Sequence, residues 1–155
     1  MKMSVFQPLL LKAAVNLIAC DGSIDDIELQ ELRNIADNEI FFSEFSYEDL
    51  LQEFVQDVRT RGKDSLNSFL SELESSDIKE RQKFILLEVL IRIMEADNKI
   101  ETNELKFIQL VKNKLNFGEE AIIMQFPDKL EFLLENENDK IHSEFTDDIK
   151  FEETN

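Results

Sequence analysis

Apolar residues fall at helical spacing along most of this chain. Leu10, Leu11, Ala14, Val15, Leu17 and Ile18 form a wide stripe that predicts a buried first helix from near Pro8 to Cys20, the proline being tolerated in a first turn. Ile27, Leu29, Leu32, Ile35 and Ala36 recur on one side of the segment from Asp26 to Asn38, opposite a charged face, and predict a second helix. A third is expected from Tyr47 to Arg61, opened by Ser46 as N-cap with Glu48 and Asp49 in its first turn. Gly62 interrupts that pattern, and Leu66, Phe69, Leu70 and Leu73 mark a short fourth helix from Ser65 to Leu73. Asp77 with Glu80 three residues on reads as a capping-box-like start to a long fifth helix, which passes Phe84, Leu87, Val89, Leu90 and Ile93 and ends at Ala96. A sixth spans Thr102 to Leu115 and stops before Asn116-Phe117-Gly118. Glu119 to Leu134 predicts one more, broken or kinked at Pro127, because an interior proline loses a hydrogen bond and clashes with the preceding turn. The expected fold is all-α, a bundle of about seven helices.

The pattern occurs twice. Leu11, Val15 and Ile18 of the first helix pair at a constant offset with Leu87, Ile91 and Met94 of the fifth. Leu29, Leu32 and Ile35 of the second pair likewise with Leu105, Ile108 and Val111 of the sixth. Between the stripes lies an acidic turn, Ala19-Cys20-Asp21-Gly22-Ser23-Ile24-Asp25-Asp26-Ile27-Glu28. It is echoed as Glu95-Ala96-Asp97-Asn98-Lys99-Ile100-Glu101-Thr102-Asn103-Glu104. Gly22 suits the left-handed residue that follows a helix, and Asn98, its counterpart, is the next most tolerant type. The chain is therefore read as an internal duplication.

Length and charge narrow the picture. At 155 residues the chain can bury one substantial core. Residues 1–136 are assigned to a single helical domain and residues 137–155 to an acidic tail. That tail holds seven acids and two lysines, and it is expected to be mobile. Phe145, Ile149 and Phe151 carry the alternative, since their roughly helical spacing would let the tail dock as an amphipathic segment. The formal charge of −17 argues against binding a nucleic-acid backbone, which needs clustered lysine and arginine, and favours cations or a basic protein partner. Cys20 is the only cysteine, so neither an internal disulfide nor a thiolate metal site can form, and the cytoplasm is the expected compartment. No segment reaches spanning or signal-peptide character, so direct membrane insertion is not expected.

The first turn overlays the second half of an EF-hand loop, with Asp21, the sharp Gly22, the Ser23 carbonyl, Asp25 and Glu28 in the places that would converge on a hard cation. The first half of that loop is missing, because Leu17 and Ala19 stand where its first acids would be. The second turn has Ile93 and Glu95 there and keeps Asp97, Glu101 and Glu104, with Glu95 as a further acid. The same residues have a local reading. Asp21 and Asp97 close a helix, Asp25 caps the next, and Glu28 completes an Asp-x-x-Glu box. A structural turn, a partial or partner-assisted cation site and a complete calcium loop all remain open, as does a composite site formed by the two turns together.

These repeated turns resemble the helix-turn-helix signature of the tellurite-resistance TerB family, over roughly residues 8–136. The resemblance implies an all-helical domain with an internal pseudo-repeat and a metal-linked role in bacterial stress-response assemblies, some of them associated with membrane or co-chaperone modules. It marks Asp21, Asp25, Glu28, Asp97 and Glu104 as functional positions. Cys20 stands where alanine is usual, and Asn98-Lys99 replaces the Gly-Ser pair of the second turn.

The remaining residues add no catalytic signature. His142, the only histidine, lies in the acidic tail without an identifiable partner, and Cys20 beside acids is read as buried and structural. The phenylalanines, Phe41, Phe42, Phe45, Phe54, Phe69, Phe84 and Phe107 among them, are read as core. The expected function is a non-enzymatic stress-response or interaction module that binds a protein partner and, at Asp21, Asp25, Glu28, Asp97, Glu101 and Glu104, a divalent cation. The alternative is an acidic inhibitor or immunity-type protein that blocks a basic partner.

Overall fold

The computed structural model describes residues 6–20, 24–38, 47–96, 102–129 and 133. Its helices are α1 (Phe6–Ala19), α2 (Asp26–Asn38), α3 (Glu48–Arg61), α4 (Lys63–Ser75), α5 (Glu80–Met94), α6 (Thr102–Lys114) and α7 (Glu119–Gln125), followed by a 3-10 turn at Pro127–Lys129. Among the described residues there is no strand. The fold is all-α.

A helix that is apolar on every side must be surrounded, and α1 is. Leu10, Leu11, Ala13, Ala14, Leu17 and Ala19 have no exposed surface. The helix packs against α5 on one side and α3 on another, with α2, α4 and α6 closing the rest. Lys12 is its one cationic residue. The Lys12 ammonium reaches Glu72 of α4 at 2.9 Å and sits 5.6 Å from the centre of the Phe54 ring of α3, so its stem stays in the core while its charge is matched.

The internal repeat is visible in the packing. α2 and α6 occupy equivalent thirteen-residue spans of the two copies, and each touches both α1 and α5. Leu11 and Leu87 are both buried, as are Val15 and Ile91, Ile18 and Met94, Leu32 and Ile108, and Ile35 and Val111; Leu29 and Leu105 are both half-buried. The arrangement is that of an approximate two-fold, with α1 and α5 at its centre. Phe69 and Phe107 are fully buried, while Phe54 and Phe84 are half-buried. Phe41, Phe42 and Phe45 lie outside the described residues, as do Gly22, Asn98, His142 and the segment 137–155.

Several expected boundaries shift for local reasons. The α3 N-cap is Tyr47, which makes no side-chain capping bond, and Ser46 lies outside the described residues. α5 begins at Glu80 rather than at Asp77. Gln82 Oε1 accepts the Lys79 backbone N–H at 2.8 Å, so the back-bond half of a capping box forms two residues later than the Asp77–Glu80 spacing suggested. α4 starts immediately after Gly62, whose φ of 55° is left-handed and suited to glycine. The Gly62 N–H closes α3 on the Val58 carbonyl at 3.0 Å. The seventh helix ends at Gln125, because Phe126 precedes a proline and leaves the α region, at φ −132° and ψ 55°. Ile27, expected on the apolar face of α2, is 57 % exposed.

Tyr47 ties α3 to α2. Its hydroxyl donates to Asp37 Oδ1 at 2.7 Å, and beside it the Arg33 guanidinium reaches Glu48 at 3.3 Å. Burial, then the hydrogen bond to the Asp37 carboxylate and the charges of Asp37 and Glu48, push the Tyr47 phenol up to about 12; Arg33 opposes them. A raised value means that the phenol stabilises the fold fully below its ordinary value of 10.0 and loses that contribution as pH rises through about 12. Tyr47 is the only tyrosine, so its phenolate absorbance reports it alone. We expect ionisation near pH 12 in the folded protein and part of the way back toward 10.0 in Asp37→Asn; an unchanged titration in that variant would mean that Asp37 does not hold the phenol.

Candidate functional site

The two turns close their helices in the same way. At the end of α1 the Cys20 N–H bonds to the Leu17 carbonyl at 3.2 Å, and at the end of α5 the Ala96 N–H bonds to the Ile93 carbonyl at 3.1 Å. These are equivalent residues of the two copies. Each turn then faces the helix that follows the other. Asn103, in the first turn of α6, donates from Nδ2 to the Cys20 carbonyl at 3.2 Å. Reciprocally, Ala96 and Ile27, the counterparts of Cys20 and Asn103, line one cleft of about 320 Å3 together with Gln30, Glu31 and Asn34 of α2. Arg92 of α5 reaches Glu31 at 3.7 Å beside that cleft. The approximate two-fold therefore brings the ends of the two copies together.

The acids divide into three groups. Asp25 is the N-cap of α2: its Oδ1 accepts the N–H of Ile27 at 2.8 Å and of Glu28 at 3.2 Å, which is the local role expected of it. Glu28 and Glu104 occupy matching places in the first turns of α2 and α6, and each is 1 % exposed. Burying a carboxylate is costly, but at the positive end of a helix dipole the charge is favoured, so the first turn is the position where a helix best tolerates one. Glu95 has a different task. Its carboxylate pairs with Lys129 at 2.7 Å, so it ties α5 to the 3-10 turn rather than joining the other acids. Asp21, Asp97 and Glu101 lie outside the described residues.

Asp25, Glu28 and Glu104 offer oxygen donors alone, the type that hard divalent cations take. Among the described residues no three acidic, histidine or cysteine side chains come together to hold a metal. A complete oxygen site would therefore need Asp21, Asp97 or Glu101 in addition. Cys20 is fully buried, in keeping with a structural thiol. Sequence reasoning passed over Asn103. Its only signal was a break in the repeat, an amide where the first copy has Ile27, and neither periodicity nor charge gives that difference a meaning.

Asn103→Ala removes the bond that links the two copies at the site and leaves the part-buried Cys20 carbonyl without that donor. We expect a loss of about 1 kcal/mol in chemical denaturation, the net value of such a bond. Ile27→Ala, at the exposed counterpart, should stay within about 0.5 kcal/mol of the parent. Equal effects at the two positions would show that the amide contributes nothing specific.

Two helix pairs related by a repeat and linked by the Asn103–Cys20 hydrogen bond are what the comparisons with known families bear on. Residues 9–125 match the family described as tellurite resistance protein TerB. No curated protein and no solved structure matches the chain at a significant level. The matched region begins within α1 and ends with α7, spanning both copies and both turns, and on that match the chain belongs to the TerB family.

Proposed function

We propose that this protein is a non-enzymatic TerB-like interaction module of the bacterial cytoplasm, in which a divalent cation held at the paired turns supports docking of a protein partner in a stress response. The observation that supports this reading is the hydrogen bond from Asn103 to the Cys20 carbonyl on one side, with Ala96 and Ile27 lining a shared cleft on the other. The candidate ligands are Asp21, Asp25, Glu28, Asp97, Glu101 and Glu104. Asp25 already uses Oδ1 as a cap. A cation there supplies positive charge between carboxylates and couples the two halves of the bundle; turnover is not part of the proposal.

The partner is a protein with a basic surface, alone or within a membrane-associated complex. A chain of formal charge −17 attracts such a surface and repels nucleic acid. No described helix is long and apolar enough to cross a membrane.

Isothermal calorimetry with calcium, magnesium and zinc tests the metal clause. Oxygen donors favour calcium or magnesium over zinc. Asp21→Asn, Asp97→Asn, Glu28→Gln and Glu104→Gln should each weaken binding by about ten-fold or more, the equivalent of ~1.4 kcal/mol. Absence of binding to any of the three ions removes the clause. The partner clause is tested by affinity capture across a salt series. Association led by charge is steered at low ionic strength and weakens as salt rises. Capture of partners that are not basic, or that persist unchanged at high salt, counts against it.

A further inference from the structure

The approximate two-fold is broken again along α5, where the break leaves a cleft of about 770 Å3. Its apolar lining is Phe84, Ile85, Ile91 and Phe126. The Phe84 ring stacks on Phe117, with centres 4.8 Å apart at 15°, and lies 6.1 Å from Phe126. In the first copy the counterparts of Ile85 and Ile91 are Leu9 and Val15, and both are buried on a helix along which α3 packs. In the second copy the main neighbours of α5 are α1, α2 and α6, and Ile85 stays half-buried. Ile91 is buried as Val15 is, so it is at Ile85 that this face lacks full cover on α5 among the described residues.

The chain itself arrives at this cleft with residues to spare. Pro127 and Lys129 line it, and four residues beyond Lys129 the fully buried Leu133 accepts a 2.6 Å hydrogen bond at its carbonyl from the Lys112 ammonium of α6. Residues 134–155 follow from that anchored point. They place Ile141, Phe145 and Ile149 four apart, one stripe of a helix, with Glu144, Asp147, Asp148 and Glu152 beside it. Lys129 lines the cleft, so at roughly 3.3 Å per residue the chain through Leu133 to Phe145 is long enough to turn back onto it. Of the charged residues that line the cleft, Arg92 pairs with Glu31 and Lys129 with Glu95, so the cation that an acidic segment meets is Arg81, exposed at the rim, with Glu88 and Asp128 in the same lining.

We propose that the C-terminal segment is the intramolecular occupant of this cleft: Ile141, Phe145 and Ile149 insert against Phe84, Ile85 and Phe126, the flanking acids face Arg81, and the segment stands on α5 where α3 stands on α1. This is helix-in-groove recognition within one chain. It replaces the mobile tail that composition alone favours, and it stands apart from the metal and partner clauses.

Paramagnetic relaxation in the full chain tests it. A nitroxide is attached at Ser143→Cys in a Cys20→Ala background, alanine being the residue at the equivalent place, Ala96. The expected result is strong attenuation of the backbone amides of Phe84, Ile85 and Glu88, lost on adding Phe145→Asp and Ile149→Asp and reduced by Arg81→Glu. The remaining amide spectrum serves as the control for folding. No attenuation along α5, or attenuation that survives the double aspartate variant, overturns the proposal. So does attenuation in a mixture of spin-labelled unenriched chain and unlabelled nitrogen-15 chain, since the occupant would then be a second copy.

Discussion

The burial of α1 against α5 is the contact on which the rest of this fold depends. α1 has no polar face that could be turned to water, so it is stable as a helix only inside a jacket of others. α5 supplies the largest part of that jacket, and because α5 is the internal copy of α1 the pairing is nearly self-complementary. Leucine and isoleucine side chains buried as deeply as Leu11, Leu17, Leu87 and Leu90 typically contribute about 1.5–3 kcal/mol each. A domain with a net stability of about 5–15 kcal/mol cannot lose many of them. Neither copy could close a core alone, which is the physical reason that the duplication is folded as one bundle.

Placing α1 on α5 determines where their ends lie. The end of each helix meets the helix that belongs to the other copy, which brings Cys20 to Asn103 and sets Ala96 in one cleft with Ile27. The chemistry of the two joints is unequal. One is closed by an amide-to-carbonyl hydrogen bond, whereas the other is a small cleft with an exposed isoleucine at its edge. The matched burial of Glu28 and Glu104 gives both halves a carboxylate at the same place in a first turn. A carboxylate buried in the first turn of each half makes its surroundings sensitive to whatever positive group approaches, whether an ion or a basic side chain.

The same two-fold also accounts for what departs from it. α3 and α4 come between the copies in the chain, and α3 can cover α1 because it follows the first copy directly. After the second copy the described residues before Leu133 form α7 and a 3-10 turn, and the bend at Phe126 before Pro127 ends α7 at Gln125. The aromatic group of Phe84, Phe117 and Phe126 fills part of the resulting gap, and Glu95 with Lys129 closes one end of it. The cleft along α5 thus arises from unequal cover of two matching faces.

How much of this was legible follows from the range of each interaction. Helix identity, the all-α class and the duplication are carried by apolar spacing within a few residues, and that local signal placed α2 at Asp26–Asn38 and ended α6 before Asn116. The capping role of Asp25 was legible for the same reason, since its bonds reach only two and three residues along. The start of α5 was misplaced because Asp77 is a favoured cap type, whereas the folded chain caps at Lys79, whose N–H the Gln82 side chain accepts. Glu95 looked like another turn acid until Lys129, far along the chain, claimed it. The sequence by itself determined the helices, the repeat and the family, all of which depend on neighbours in the chain. The tertiary structure alone decided that Ile27 faces outward, that Glu28 and Glu104 are buried and that Asn103 closes onto Cys20, because those outcomes depend on how two distant helix pairs meet.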